Sequence, residues 1–378
     1  MKFHLWVPNL FGFQGGIQVY SRFLLQAIQN IYPQSEYDIF VKHDVSTSSD
    51  FVYLPQTRFH FSGEHSDNIR TPIFASQIIT QGCLKRPDLI ISCHINFTVA
   101  AYRLKQLTGI PYFTIGHGID AWNIEDPLMK KALHDADLIL TGGNYTRERL
   151  IKEQNFHPDK VLVLFNTFNA NRLKIAPKPE KLLQRYNLKP DEPIILTVAR
   201  LSESEQYKGY DKILTALPKI RQHIPNVKYI LVGKGKDKYR VQQLISQYEL
   251  EESVILAGYI PDEELTEHYN LCDVFAMPSK AEGFGIVYLE ALACGKPVLA
   301  GNQDGAVDPL CQGELGALIN PDDSDAIAQT LIQILQGEYQ NPLLYQPQEL
   351  RKKVIERFGF ESFELTLSNY LKHHFNNS

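Results

Sequence analysis

No stretch of this chain approaches the ~20 consecutive apolar residues that a membrane-crossing helix needs. Nor do the first residues spell an export signal. Met1–Leu10 holds one Lys and a short mixed apolar run broken by Pro8, without the long apolar core or the cleavage site such a signal requires. A soluble cytoplasmic protein is the expectation. Cysteine is scarce: Cys83, Cys93, Cys272, Cys294 and Cys311 are odd in number, scattered, and form no C-x-x-C pair. That argues against a disulfide framework or a zinc site and for buried or idle thiols in a reducing compartment. Positive charge is not in excess either. A net charge of -5 argues against a nucleic-acid partner held by a broad basic surface. The chain has no G-x-x-x-x-G-K-[ST] run and no G-x-S-x-G elbow, so it has neither a P-loop nor that nucleophile turn.

What is present is globular: 44% hydrophobic and 21% charged residues over 378 positions, enough for two domains of ordinary size. Short apolar runs alternate with helical periodicity from end to end. Phe3–Val7 is followed by a turn with Gly12, Gly15 and Gly16, and then by Val19, Phe23, Leu24, Ala27 and Ile28 at helical spacing. Leu89–Ser92, Tyr112–Ile115, Leu138–Thr141 and Val161–Leu164 continue the rhythm as buried strands. A stretch rich in Pro and Lys over 171–192 interrupts it and reads as a linker. The rhythm resumes with Ile194–Val198, Tyr229–Val232, Val254–Ala257, Val274–Met277 and Pro297–Ala300. The economical architecture is α/β, two halves with parallel sheets, and halves facing each other would place a ligand in the cleft between them. The boundaries are expected at 1–170 and 171–361, with a terminal helix over about 362–378 and a frayed tail.

The densest motif runs Pro278-Ser279-Lys280-Ala281-Glu282-Gly283-Phe284-Gly285-Ile286-Val287-Tyr288-Leu289-Glu290. A strand ends in a Pro-Ser turn, a Gly-Phe-Gly loop follows, and a helix begins near Ile286. Such a helix start offers backbone N–H groups and a favourable dipole to an anion. Glu290 lies roughly 6 Å along the axis from Ile286 at helical rise. Ionised carboxylates are acceptor-only and suit vicinal hydroxyls, so Glu282 and Glu290 could flank a diphosphate joined to two sugars. A solvated loop Glu and a helix-surface Glu explain the same residues from composition alone.

This stretch resembles the E-x7-E signature of retaining GT-B glycosyltransferases, the glycosyl transferases group 1 family (family 4). The resemblance spans nearly the whole chain, in order. Thr197-Val198-Ala199-Arg200-Leu201 with Tyr207-Lys208-Gly209 is similar to the family's G-R-L…K-G segment. Leu231-Val232-Gly233-Lys234-Gly235 resembles its V-G-x-G strand end. Gly258-Tyr259-Ile260-Pro261 with Glu264-Leu265 resembles its G-x-v-p…e-L pattern. Pro8 through Gly15-Gly16 resembles the first glycine loop, and His117-Gly118 the H-G element.

The resemblance implies that Arg200 and Lys208 neutralise a departing diphosphate, which fixed cations do without a metal. It implies that Glu282 orients the transferred sugar, Glu290 holds the ribose, and His117 acts near the transferred sugar. Gly15, Gly16, Gly283, Phe284, Gly285 and Ile286 would complete the donor site. The implied activity is a metal-independent, retaining hexosyl transfer from a nucleoside-diphosphate sugar, with no cofactor, to a glycan or lipid-linked acceptor, as in polysaccharide biosynthesis. The acceptor would lie on the first domain and the donor on the second, with the terminal helix crossing back to the first. Asp135-Ala136-Asp137 spells a D-x-D that binds metal in another fold and reads here as structural. Two departures from the family are Asn166-Thr167-Phe168-Asn169 for N-G-v-d, and Asp304-Gly305-Ala306-Val307-Asp308 for G-G-x-x-E. The basic run Arg70–Arg86 allows peripheral contact with the inner membrane face, although a solvated helix face is favoured. A catalytically silent GT-B module, a sugar phosphorylase and a nucleotide-sugar epimerase are the alternatives.

Overall fold

The computed structural model describes residues 1–12, 15–47 and 53–376; Asn377 and Ser378, the end of the expected frayed tail, lie outside them. The chain divides into one unit of Met1–Thr167 with Phe360–Ser378 and another of Phe168–Gly359.

The first unit holds β1 (Lys2–Val7), β2 (Glu36–Val41), β3 (Thr57–Phe61), β4 (Leu89–Ser92), β5 (Tyr112–Gly116), β6 (Leu138–Thr141) and β7 (Val161–Val163). They form one sheet in the order β3-β2-β1-β4-β5-β6-β7, and every pairing is parallel. A parallel sheet covered on both faces needs apolar side chains on both. Accordingly Phe3, Leu5 and Val7 enter one core with Leu24 and Ile28 of the helix Gly16–Ile31. Trp6 enters the opposite core with Ile78 of the helix Asp67–Lys85. The terminal helix Phe360–Asn376 belongs to this unit and inserts Phe363, Leu367 and Leu371 into the first core. Its Tyr370 hydroxyl donates to the Val163 carbonyl at 2.8 Å.

The second unit holds β8 (Ile194–Val198), β9 (Lys228–Val232), β10 (Val254–Gly258), β11 (Val274–Met277), β12 (Val298–Gly301) and β13 (Ala317–Ile319). The order is β10-β9-β8-β11-β12-β13, again parallel throughout. Both sheets therefore reverse their winding once, between β1 and β4 in the first and between β8 and β11 in the second. In doubly wound sheets such a reversal opens a crevice at the carboxyl ends of the strands, where ligands bind.

The units meet the chain at slightly different places from those expected. Phe168 is buried and Arg351 donates to the Ala170 carbonyl at 2.9 Å, which ties 168–170 to the second unit. Gly359 separates the helix Pro347–Phe358 from Phe360–Asn376. The Pro- and Lys-rich stretch is not featureless: it carries a short helix, Glu180–Arg185, fastened by an Arg185–Glu264 ion pair at 2.6 Å.

Candidate functional site

Arg200 stands two residues beyond the end of β8, at the winding reversal of the second sheet. Six residues, Glu203–Lys208, then coil into a 3-10 turn that ends at Gly209. Gly209 has φ +74, and a Cβ there would lie 2.2 Å from the Pro278 carbonyl oxygen. The turn can therefore pack directly on the backbone that leaves β11. That close approach places Lys208 Nζ 3.6 Å from Glu282 Oε2 and 3.3 Å from Glu205 Oε2. Glu205 also pairs with Arg200 through its other oxygen. The long spacing between Arg200 and Lys208 is thus taken up by the turn, and the two cations still converge. Arg200 is 63% exposed whereas the Glu205 side chain is only 10% exposed, so the acid is the fixed member of that pair.

The Glu282 loop is pinned from beneath by Asp304, which is fully buried. Asp304 Oδ2 accepts the Glu282 N–H at 2.6 Å and Oδ1 accepts the Ala306 N–H at 3.0 Å. The Gly305 N–H in turn donates to the Glu282 carbonyl at 2.8 Å. Burial pushes the Asp304 carboxyl up to about 6 even against those N–H donors. The departure Asp304-Gly305 thus braces the Glu282 loop. Beyond it Gly285 has φ +88, and a Cβ would fall 2.4 Å from the Tyr288 ring, so only glycine fits. The helix Ile286–Ala293 starts there without a side-chain cap, leaving the positive end of its dipole at the loop. Burial, and then the Glu282 and Glu205 carboxylates, raise the neighbouring Tyr207 phenol.

Glu290 is one turn further along this helix. Its Oε2 accepts the Tyr269 hydroxyl at 2.7 Å, and its Oε1 lies 3.5 Å from Arg172. Burial raises the Glu290 carboxyl, while Tyr269 and Arg172 pull it back.

The remaining candidates lie in the first unit. Gly15 is the extended residue before the helix that begins at Gly16. The backbone N–H groups of Leu10, Phe11 and Gly12 in the same loop all donate to the Asp44 carboxylate, at 2.5, 2.7 and 3.1 Å. His117 follows β5. Its Nε2 faces the Cys93 carbonyl at 2.8 Å, an acceptor only, so that nitrogen carries the proton and Nδ1 is left as acceptor. Asp120 accepts the His117 N–H at 3.0 Å and lies 4.0 Å from His94. The D-x-D pair is structural: Asp137 accepts the Tyr112 N–H and the Lys105 ammonium, and Asp135 lies 3.7 Å from the same ammonium. Among the described residues, no group of three or more His, Cys, Asp or Glu is arranged to hold a metal. No helix among them is long and apolar enough to cross a membrane.

Two family models divide the chain between them. Residues 15–172 match Glycosyltransferase Family 4, and residues 179–357 match Glycosyl transferases group 1. The chain belongs to the group 1 glycosyltransferases. A curated relative is the GDP-mannose-dependent alpha-(1-6)-phosphatidylinositol monomannoside mannosyltransferase of Mycolicibacterium smegmatis, 34% identical over 57% of each chain. Another is the O-antigen chain mannosyltransferase B of Escherichia coli, 30% identical over 56% of this chain and 55% of that one. These matches span less than two thirds of the relatives' length. Among solved structures, sucrose-phosphate synthase from Thermosynechococcus elongatus superposes over 100% of both chains with a TM-score of 0.81 at 21% identity. Anabaena HepE in complex with UDP covers 99% of this chain and 100% of its own, with a TM-score of 0.78 at 18% identity. At such identity the likeness is one of fold, and the fold is GT-B with two Rossmann-like domains.

Within this family member, the structure brings Arg200, Lys208 and Glu282 together and sets Glu290 in a separate cluster on the adjoining helix. Gly15, Gly16 and His117 stand in the other unit. Sequence reasoning passed over Glu205, Arg172, Tyr269 and the loop role of Asp304. Glu205 carries a local signal, an acid three residues before Lys208 at helical spacing. Arg172 and Tyr269 carry none, because their link to Glu290 exists only in the folded chain.

Proposed function

We propose that this chain is a retaining hexosyltransferase that moves a sugar from a nucleoside-diphosphate sugar to a glycan or lipid-linked acceptor. The observation that carries the reading is the convergence of Arg200, Lys208 and Glu282 at the winding reversal of the second sheet, beside an uncapped helix start. A leaving diphosphate gains charge as its bond to the sugar breaks, and preset cations stabilise that charge without reorganisation. Arg200 offers a planar fork and Lys208 a point charge; the N–H groups of the Phe284–Ile286 turn add to them. With two cations in this role, no metal is required. Glu282 then orients the transferred sugar through its hydroxyls and Glu290 holds the ribose.

Retention of configuration rests on the family resemblance. With Glu205 engaged by Arg200 and Lys208, and Glu282 assigned to the sugar's hydroxyls, front-face attack, with the leaving phosphate taking the acceptor proton, is the favoured course. The first unit is the acceptor side, with His117 presenting Nδ1 as an acceptor. The relatives' names put GDP-mannose first among donors to try. The test is transfer from GDP-mannose and UDP-glucose, with and without EDTA, with the anomeric configuration of the product read by NMR. Retained product in EDTA supports the reading. Donor consumption with no acceptor product points to an epimerase, and sugar-phosphate formation without nucleotide points to a phosphorylase.

A further inference from the structure

We propose that Arg172 and Tyr269 are positioning residues for Glu290, which hold its carboxylate aimed at the ribose of the donor. The proposal rests on the reading that Glu290 is the ribose acceptor and adds the residues that make it one.

The geometry is a clamp on both oxygens. Tyr269 is fully buried, with its ring tilted against Phe275 of β11 at 5.9 Å, so its hydroxyl has a fixed position. It donates to Oε2 at 2.7 Å. Arg172 Nη2 stands 3.5 Å from Oε1, and Nη1 stands 3.5 Å from Asp262. Each carboxylate oxygen has two acceptor positions. Tyr269 takes one on Oε2 and Arg172 stands beside Oε1 as an ion-pair partner, so acceptor positions remain on both oxygens, which is the pattern a vicinal diol needs.

Charge makes the same point. The Glu290 side chain is 15% exposed, and a carboxylate that poorly hydrated stays ionised only if partners offset its lost hydration. The groups facing it are Tyr269 and Asp262 from the helix Asp262–Leu271, Cys294 next to its own helix, and Arg172 from the segment entering the unit. Asp262 and burial both oppose ionisation, and Arg172 is the cation that opposes them. A protonated Glu290 would lose an acceptor position and turn one oxygen into a donor. Removing Arg172 therefore costs ribose binding most at acid pH. A purely structural Arg would weaken all ligands at every pH.

The experiment is calorimetry on the full chain with GDP and UDP and their 2′,3′-dideoxy forms, between pH 5.5 and 7.5. It compares the wild type with Glu290→Ala, Arg172→Ala, Arg172→Lys and Tyr269→Phe. Arg172→Ala is expected to weaken the ribonucleotide about 10-fold and leave the dideoxy form unchanged. Its loss should grow toward pH 5.5, and Arg172→Lys should restore part of it. Should Arg172→Ala fail to fold, Tyr269→Phe gives the same ribose-selective readout. If Glu290→Ala is ribose-selective and neither Arg172→Ala nor Tyr269→Phe is, the clamp is overturned and the ribose reading stands. If Glu290→Ala weakens both forms alike, or no nucleotide binds the wild type, the ribose reading itself falls and the clamp with it.

Discussion

The loop after β1 in the first unit turns three successive backbone N–H groups onto the carboxylate of Asp44. The loop after β8 in the second unit, at the same point of the same topology, presents Arg200 and then Lys208. Both sheets are parallel and both reverse their winding at this place. What differs is the resident charge. Three N–H donors of the first loop are spent on an internal anion, whose charge repels a second one beside it. The second loop gathers cations with an acid lodged between them, while the helix starts Gly16 and Ile286 are alike in having no side-chain cap. The fold supplies a winding reversal in each unit, and side chains decide which charge each one favours.

The largest effects should break this comparison outright. Lys208→Ala should lower kcat/KM roughly 100- to 1,000-fold, as loss of a preset charge at a leaving group does. Asp44→Asn in the first unit should lower the melting temperature and leave nucleoside diphosphate affinity in place. Equal effects of both on nucleotide binding would erase the distinction between the crevices.

A second contrast is in pH. His4 is fully buried in the first unit, and among the described residues neither ring nitrogen has a hydrogen-bond partner. Burial lowers it from 6.5 to about 4, against the attraction of Asp38. Its contribution to stability is full above pH 6.5 and is lost as pH falls toward 4. Asp304 in the second unit has the opposite sign: its carboxyl is raised from 3.8 to about 6, so its contribution is full below 3.8 and is lost as pH rises through 6. Each is worth about 3 kcal/mol at the extremes. Acidification from pH 6.5 to 4.5 should weaken the first unit relative to the second. Hydrogen exchange resolved by unit reads this, and His4→Leu should flatten the first unit's slope.

Smaller changes sharpen the picture of the second crevice. Gly285→Ala should destabilise the second unit by about 2 kcal/mol, since a Cβ there meets the Tyr288 ring at φ +88; chemical denaturation checks it. Glu205→Gln removes the acid between Arg200 and Lys208 while Glu282 still faces Lys208. Nucleoside diphosphate binding should tighten about 3-fold; weaker binding would instead make Glu205 an aligning group.

Much of this was legible before any coordinates. The doubly wound class, ten of the strands and the Glu282 loop follow from apolar runs and glycine placement. The missed strands share a physical reason. β2 carries Glu36 and Asp38 within an otherwise apolar run, and Asp38 is tolerated inside because His60 meets it at 2.7 Å. β3 is an edge strand with a half-exposed pattern, and β13 is three residues long at the other sheet's edge. The residues Arg200, Lys208 and Glu282 that the fold brings together were also readable, because each sits in a short local motif. The partners that position them were not. Asp304 reaches Glu282 from 22 positions away and Arg172 reaches Glu290 from more than a hundred, and such pairings are made only when strands and helices pack.

The most direct test of the account is calorimetric titration of the metal-free protein with GDP, UDP and ADP, repeated on Lys208→Ala. One nucleotide is expected to bind the wild type without metal and to lose at least about 10-fold in affinity in the variant. Binding that is absent for all three, or that is untouched by loss of Lys208, would contradict the placement of the diphosphate at the second unit's crevice.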